Sequence, residues 1–178
     1  MTFGKFLLSE SSARPAGRAL LAAAVLTLSA SPALALSCVP WGVQDAYLEA
    51  AESEHVYNVI AGALAFDEEQ LPRSHSDNPG STPELTRVPA QLSGKMLAGG
   101  AFSEPVDVPV TLEVECLGPW CGGIVAGEDH IFFAEQRGDE LVVRANACGG
   151  WSFADTPKAR RQVLSCHGGG ECVPKMPR

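Results

Sequence analysis

The chain has 178 residues, six cysteines and a formal net charge of −8. That acidic surplus counts against a nucleic-acid or anionic-membrane partner, whose phosphates demand a basic face. It favours solubility, and the length amounts to one domain that can bury a real core but gains from covalent staples.

The first 35 residues read as a secretory signal. Lys5, Arg14 and Arg18 give a positive start, and Ala19 to Ala30, "ALLAAAVLTLSA", is apolar. Ser31 and Pro32 break the helix, and "ALA" at Ala33 to Ala35 is a small-residue cleavage site. The apolar run is shorter than the roughly 20 residues a spanning helix needs. No membrane insertion is therefore expected after cleavage. Cutting after Ala35 makes Leu36 the new N-terminus and leaves 143 residues. The signal holds three of the thirteen Lys/Arg and one of the twenty-one Asp/Glu, so the exported form carries −10. A lipidation box before Cys38 is not matched, because Ala35 and Leu36 stand in the reverse order. All six cysteines follow the signal, and an even count in an exported chain reads as three disulfides. Fifteen pairings remain open at this point.

Asp45 to Glu54 predicts a short helix capped by Asp45, with Ala46, Leu48, Ala50 and Ala51 as its apolar side. His55 to Phe66 predicts a strand, in which Gly62 suggests a bulge or bend. Asp67 to Glu84 is rich in Pro, Ser and Gly and reads as a long loop. A second strand is expected over Thr86 to Leu97, with Pro89 marking an edge or bulge. Val106 to Cys116 alternates: Val108, Val110, Leu112 and Val114 face one way, while Asp107, Thr111, Glu113 and Glu115 face the other. Asp129 to Cys148 predicts a hairpin of two strands turning at Arg137-Gly138-Asp139. Thr156 to Cys166 predicts a helix with Thr156 as N-cap, Pro157 in the first turn, and Val163 and Leu164 as apolar contacts. The tail after it has no periodic pattern. Helix, five strands and helix, without a repeat, predict an all-β class: a five-stranded Greek-key barrel of the OB type with short N- and C-terminal flanking helices, disulfide-stapled. A seven-stranded sandwich would need strands the sequence does not display.

Cys116 to Gly123, "CLGPWCGG", poses the main chemical question. It fits a redox pair, half a metal site or a staple across a tight loop. The spacing is C-x4-C, not C-x-x-C, and no helix start in a βαβ pattern accompanies it, which counts against redox chemistry. His55, His75, His130 and His167 are scattered and share no ligand spacing. Cys166, His167, Glu171 and Cys172 are close enough for a zinc site, but an oxidising compartment favours a disulfide. Glu113 and Glu115 read as an ordinary solvated outer face. No serine-nucleophile motif, H-E-x-x-H or phosphate loop is present.

In the order and spacing of its parts the chain resembles the netrin-like module, the OB-fold domain of tissue inhibitors of metalloproteinases and of small exported bacterial proteins. The parts are "SCVPWGVQDAYLEAAE" at the mature start, "HVYNVIAGAL", "WCGG", "IFFAE", "LVVRANAC" and the helix "KARRQVLSC". Together they cover most of residues 36 to 166. Members often begin C-x-C; here Leu36 stands where the first cysteine would be, and Cys38 matches the second. The resemblance implies a bond from Cys38 to Cys148. The first-helix cysteine of the family falls near Leu48 and is also absent. Those two losses leave Cys121 and Cys166 without family partners, with Cys116 and Cys172 close by. The pairing implied is Cys38–Cys148, Cys116–Cys121 and Cys166–Cys172.

Inhibitors of this family chelate a protease zinc with the amine and carbonyl of a first-position cysteine. Leu36 and Ser37 precede Cys38, which counts against that activity. What the resemblance leaves is a surface: the ridge Leu36, Ser37, Val39, Pro40 and Trp41 beside the loop holding Gly118, Pro119 and Trp120. The expectation is a non-catalytic exported module that binds a protein partner and takes no metal and no cofactor. It is expected in the periplasm or outside the cell, as a monomer and without nucleic acid. The alternative is a small periplasmic enzyme with an unrecognised site.

Overall fold

The computed structural model describes residues 36–75 and 77–175; the signal-like segment 1–35 lies outside them. The chain divides at Leu36/Ser37, and the unit that begins at Ser37 is the β-rich one.

Alternation makes the long strands two-faced, and their pairing sorts the faces into two cores. The strands are β1 (Val56–Phe66), β2 (Leu85–Ala98), β3 (Ala101–Leu117), β4 (Trp120–Cys121), β5 (Asp129–Arg137), β6 (Glu140–Ala145) and β7 (Ser152–Ala154). The helices are α1 (Val43–Glu52) and α2 (Pro157–His167). β1 pairs antiparallel with β2, and β2 with β3. β3 runs parallel to β6, β6 antiparallel to β5, and β5 antiparallel to β1. The pairings thus run β1–β2–β3–β6–β5 and come back to β1. One face of these strands forms a first core that includes Ile60, Leu92, Leu112, Val114, Phe132 and Val143. The other face of β1 and β5 offers Ala61, Ile131 and Phe133 to Val43 and Ala46 of α1 and Val163 of α2, a second core.

Among the described residues seven strands replace the expected five, because the pairs β3–β4 and β5–β7 add segments of two and three residues. Those segments are too short to carry a period-2 signal. β2 and β3 also meet across the turn Gly99–Gly100, with Ala98 opposite Ala101, so β3 begins five residues before the alternation becomes legible. The polar loop after β1 holds two 3-10 turns, Glu68–Gln70 and Pro79–Ser81.

Three local expectations change for physical reasons, while those at Pro89 and at the start of α2 hold. α1 starts at Val43 with Gly42 as N-cap; Asp45 sits a turn inside and accepts the Gly42 N–H at 2.9 Å and the Lys175 N–H at 3.1 Å. Its inward side is Val43, Ala46, Tyr47 and Ala50, an i, i+3, i+4, i+7 stripe, while Ala51 is exposed. Register is continuous through Gly62, so no bulge lies there; a Cβ on Gly62 would collide with the Ser93 carbonyl, opposite Gly94, and glycine permits the close crossing. Pro89 lies one residue outside the β1–β2 ladder, so β2 is an edge on that side at that point, and the irregularity of β2 falls at Met96/Leu97 instead. α2 starts as its signals predict: the Thr156 hydroxyl accepts the Ala159 N–H at 3.1 Å.

Three disulfides join Cys38 to Cys148, Cys116 to Cys121 and Cys166 to Cys172. No described cysteine is free, which points to an oxidising, extracellular-type environment.

Candidate functional site

"CLGPWCGG" folds as a stapled hairpin. Cys116 faces Cys121 and Leu117 faces Trp120 across β3 and β4, with Gly118–Pro119 at the turn and the disulfide closing the base. Its thiols are spent in that bond. Two contacts fix the hairpin to its surroundings. The Ser74 hydroxyl donates to the Pro119 carbonyl at 2.5 Å, tying the long loop to the turn. Gly122 lies flat on the Ala145–Asn146 backbone, where any side chain would overlap the Ala145 carbonyl.

The ridge reaches the same segment from the other direction. Cys38 is bonded to Cys148, and the Trp41 indole N–H donates to the Gly150 carbonyl at 2.9 Å. Ridge and hairpin are therefore both anchored to residues 145–150, just past β6. Leu36 closes the first unit; Ser37, Val39 and Pro40 are exposed. Trp41 is half-buried against the second core, Trp120 and Pro119 are half-buried, and Gly118 is exposed. Among the described residues no ring contact joins the two tryptophans; Trp41 is anchored inward instead. The exposed apolar side chains here are Val39, at 57%, and Leu117, at 61%.

A second feature escaped the sequence reading. Glu113 is buried, which corrects the solvated face expected for it. It lies on the β3 face away from the first core, as the alternation requires, but arginines from β2 and β5 cover it. Arg137 Nη1 donates to both Glu113 oxygens at 2.9 and 3.0 Å, and Arg87 adds a contact of 2.7 Å. Arg137 also grips Glu135 with Nε and Nη2, each at 2.9 Å. His55 stands 3.6 Å from Glu135, and the Arg144 Nε 3.9 Å. The hydrogen bonds from Arg137 hold the Glu135 carboxyl below the usual glutamate range, and the same bonds raise the guanidinium's pKa. Glu135 is thus an ionised carboxylate clamped by its partner, ill-suited to give or take a proton near neutrality. The acid–base pattern was visible only as isolated letters, since Arg87, Glu113 and the Glu135/Arg137 pair come from three strands that pairing alone brings together.

Beyond this cluster, Arg144 donates to the Tyr57 hydroxyl at 3.0 Å and lies 4.5 Å from the centre of the Trp151 ring, while Tyr57 stacks on Trp151 at 4.7 Å. The Tyr47 hydroxyl pairs with His167 Nδ1 at 3.1 Å. Between these tyrosines opens a cleft of about 250 Å³. Among the described residues no three metal-binding side chains converge, and no helix is long and apolar enough to cross a membrane.

Compared with known proteins, the chain matches no family model, no curated protein and no solved structure.

Proposed function

We propose that this is an exported, non-catalytic binding module of the OB type, netrin-like in architecture, that holds a protein partner through its N-terminal ridge and stapled hairpin. On this reading residues 1–35 are a signal removed on export to the periplasm or beyond, and residues 36–178 form the working domain. Two arrangements support the architecture. The pairing order returns to β1 with a single parallel step between β3 and β6, and a disulfide ties the mature N-terminus to the end of β6.

The observation that carries the function is the covalent bracing of exposed apolar residues. Val39 adjoins one disulfide and Leu117 the other, and both segments are anchored to residues 145–150. An exposed apolar side chain costs solubility, and holding it rigid lowers the entropy lost on binding. The Glu135 carboxylate, by contrast, is clamped in its ionised form by Arg137 and is ill-suited to acid–base catalysis.

The test is photo-crosslinking in the producing cell, with a benzophenone amino acid at Val39, at Leu117 and, as control, at Val56. Positions 39 and 117 are expected to yield the same adduct, and Leu117→Asp to abolish the adduct from position 39. Equal labelling from position 56 overturns the proposal. So does a purified protein that crosslinks to nothing yet turns over a substrate.

A further inference from the structure

The cleft beside α1 owes its room to small residues. Ala50 and Ala51 face Met96 and Leu97 where larger side chains would close the gap, with Tyr57 on one wall and His167 at the end of α2. Its 250 Å³ suits a small molecule, between an engineered benzene-sized cavity of about 150 Å³ and a drug-sized pocket. No carboxylate, lysine or arginine lines it, and the imidazole that does, His167, is already paired with the Tyr47 hydroxyl, which disfavours a charged ligand. Tyrosine faces and a methionine thioether favour an aromatic ring.

Tyr57 supplies the polar contact. Its ring is fixed by the stack on Trp151, and its oxygen accepts from Arg144. Among the described residues nothing accepts the proton of its own hydroxyl. Burial pushes the phenol's pKa up, so that proton stays in place as a donor.

We propose that this cleft binds a small, uncharged aromatic molecule bearing one carbonyl acceptor, which receives a hydrogen bond from the Tyr57 hydroxyl. The site is separate from the ridge and hairpin, and the inference does not depend on the function proposed for them.

The oxidised, exported chain is titrated with N-methylbenzamide and, separately, with isopropylbenzene, reading the Met96 methyl resonance. Both are expected to shift it saturably. Tyr57→Phe should weaken the amide about fivefold, the value of one neutral hydrogen bond, and leave the hydrocarbon unchanged. Ala51→Leu, at an exposed helical position, should exclude both probes while the melting temperature holds. That variant keeps the test decisive if Tyr57→Phe loosens Arg144. The proposal is overturned if Met96 does not respond saturably to either probe, if Tyr57→Phe spares amide binding in a folded protein, or if Ala51→Leu leaves binding intact.

Discussion

Two regions of this molecule hold strands and loops in place by opposite means. At the stapled end, one disulfide pins the ridge to Cys148 and another closes the β3–β4 hairpin on itself, and those bonds are indifferent to moderate acid. On the face carrying Glu113 and Glu135, arginines do the pinning through charge and hydrogen bonds, which are indifferent to reductant, and Arg137 of β5 bridges Glu135 on its own strand to Glu113 on β3. The difference teaches where each region is weak. A long loop closed by one bond gains chiefly by restricting the unfolded chain, whereas a buried carboxylate contributes only while its guanidinium partner stays.

The largest expected break is at the staple. Replacing Cys38 and Cys148 together by Ser opens a 110-residue separation. By the loop-entropy estimate this lowers the unfolding free energy by about 5 kcal/mol. Against a typical domain stability of about 5–15 kcal/mol, such a variant is expected to melt far below the parent. Urea denaturation measures it. The same substitution at Cys116 and Cys121, closing only a five-residue separation, should cost about 2 kcal/mol. Equal losses at the two bonds would show that loop length is not what the staples act on.

A smaller break should follow at the charged face. Glu113→Gln removes the carboxylate that pairs Arg87 and one of the two that pair Arg137, and is expected to cost about 2 kcal/mol. That is below the figure for a fully buried pair, because both arginines stay partly solvated. A loss within error in urea melts would make Glu113 a bystander.

The smallest effect is a pH slope that separates the regions. Glu135 has a folded pKa below the ordinary 4.5. Its contribution is therefore present above that value and is lost as the pH falls through the depressed folded value. Melts from pH 7 to pH 3 should show the parent losing stability more steeply below about pH 4.5 than Glu135→Gln. Reductant at pH 7 should affect both proteins alike. Parallel pH curves for the two would remove Glu135 as the source of the slope.

The sequence by itself determined what local chemistry can encode. Alternation at Val108, Val110, Leu112 and Val114 set one buried face, Thr156 and Pro157 set the start of α2, and six cysteines after a signal-like segment set a disulfide-bearing, β-rich unit. Each of those signals is carried by neighbours along the chain or by a simple count. Tertiary structure alone decided the environment of Glu113. Strand alternation says which face a side chain takes, but what covers that face depends on register between strands far apart in sequence. Arg137 reaches Glu113 from β5, and Arg87 reaches it from β2. The same reason hid the cleft, which Ala50 and Ala51 of α1 line together with Met96 and Leu97 of β2. It also explains β4 and β7, whose strand character comes from the partner they pair with and not from their own few residues.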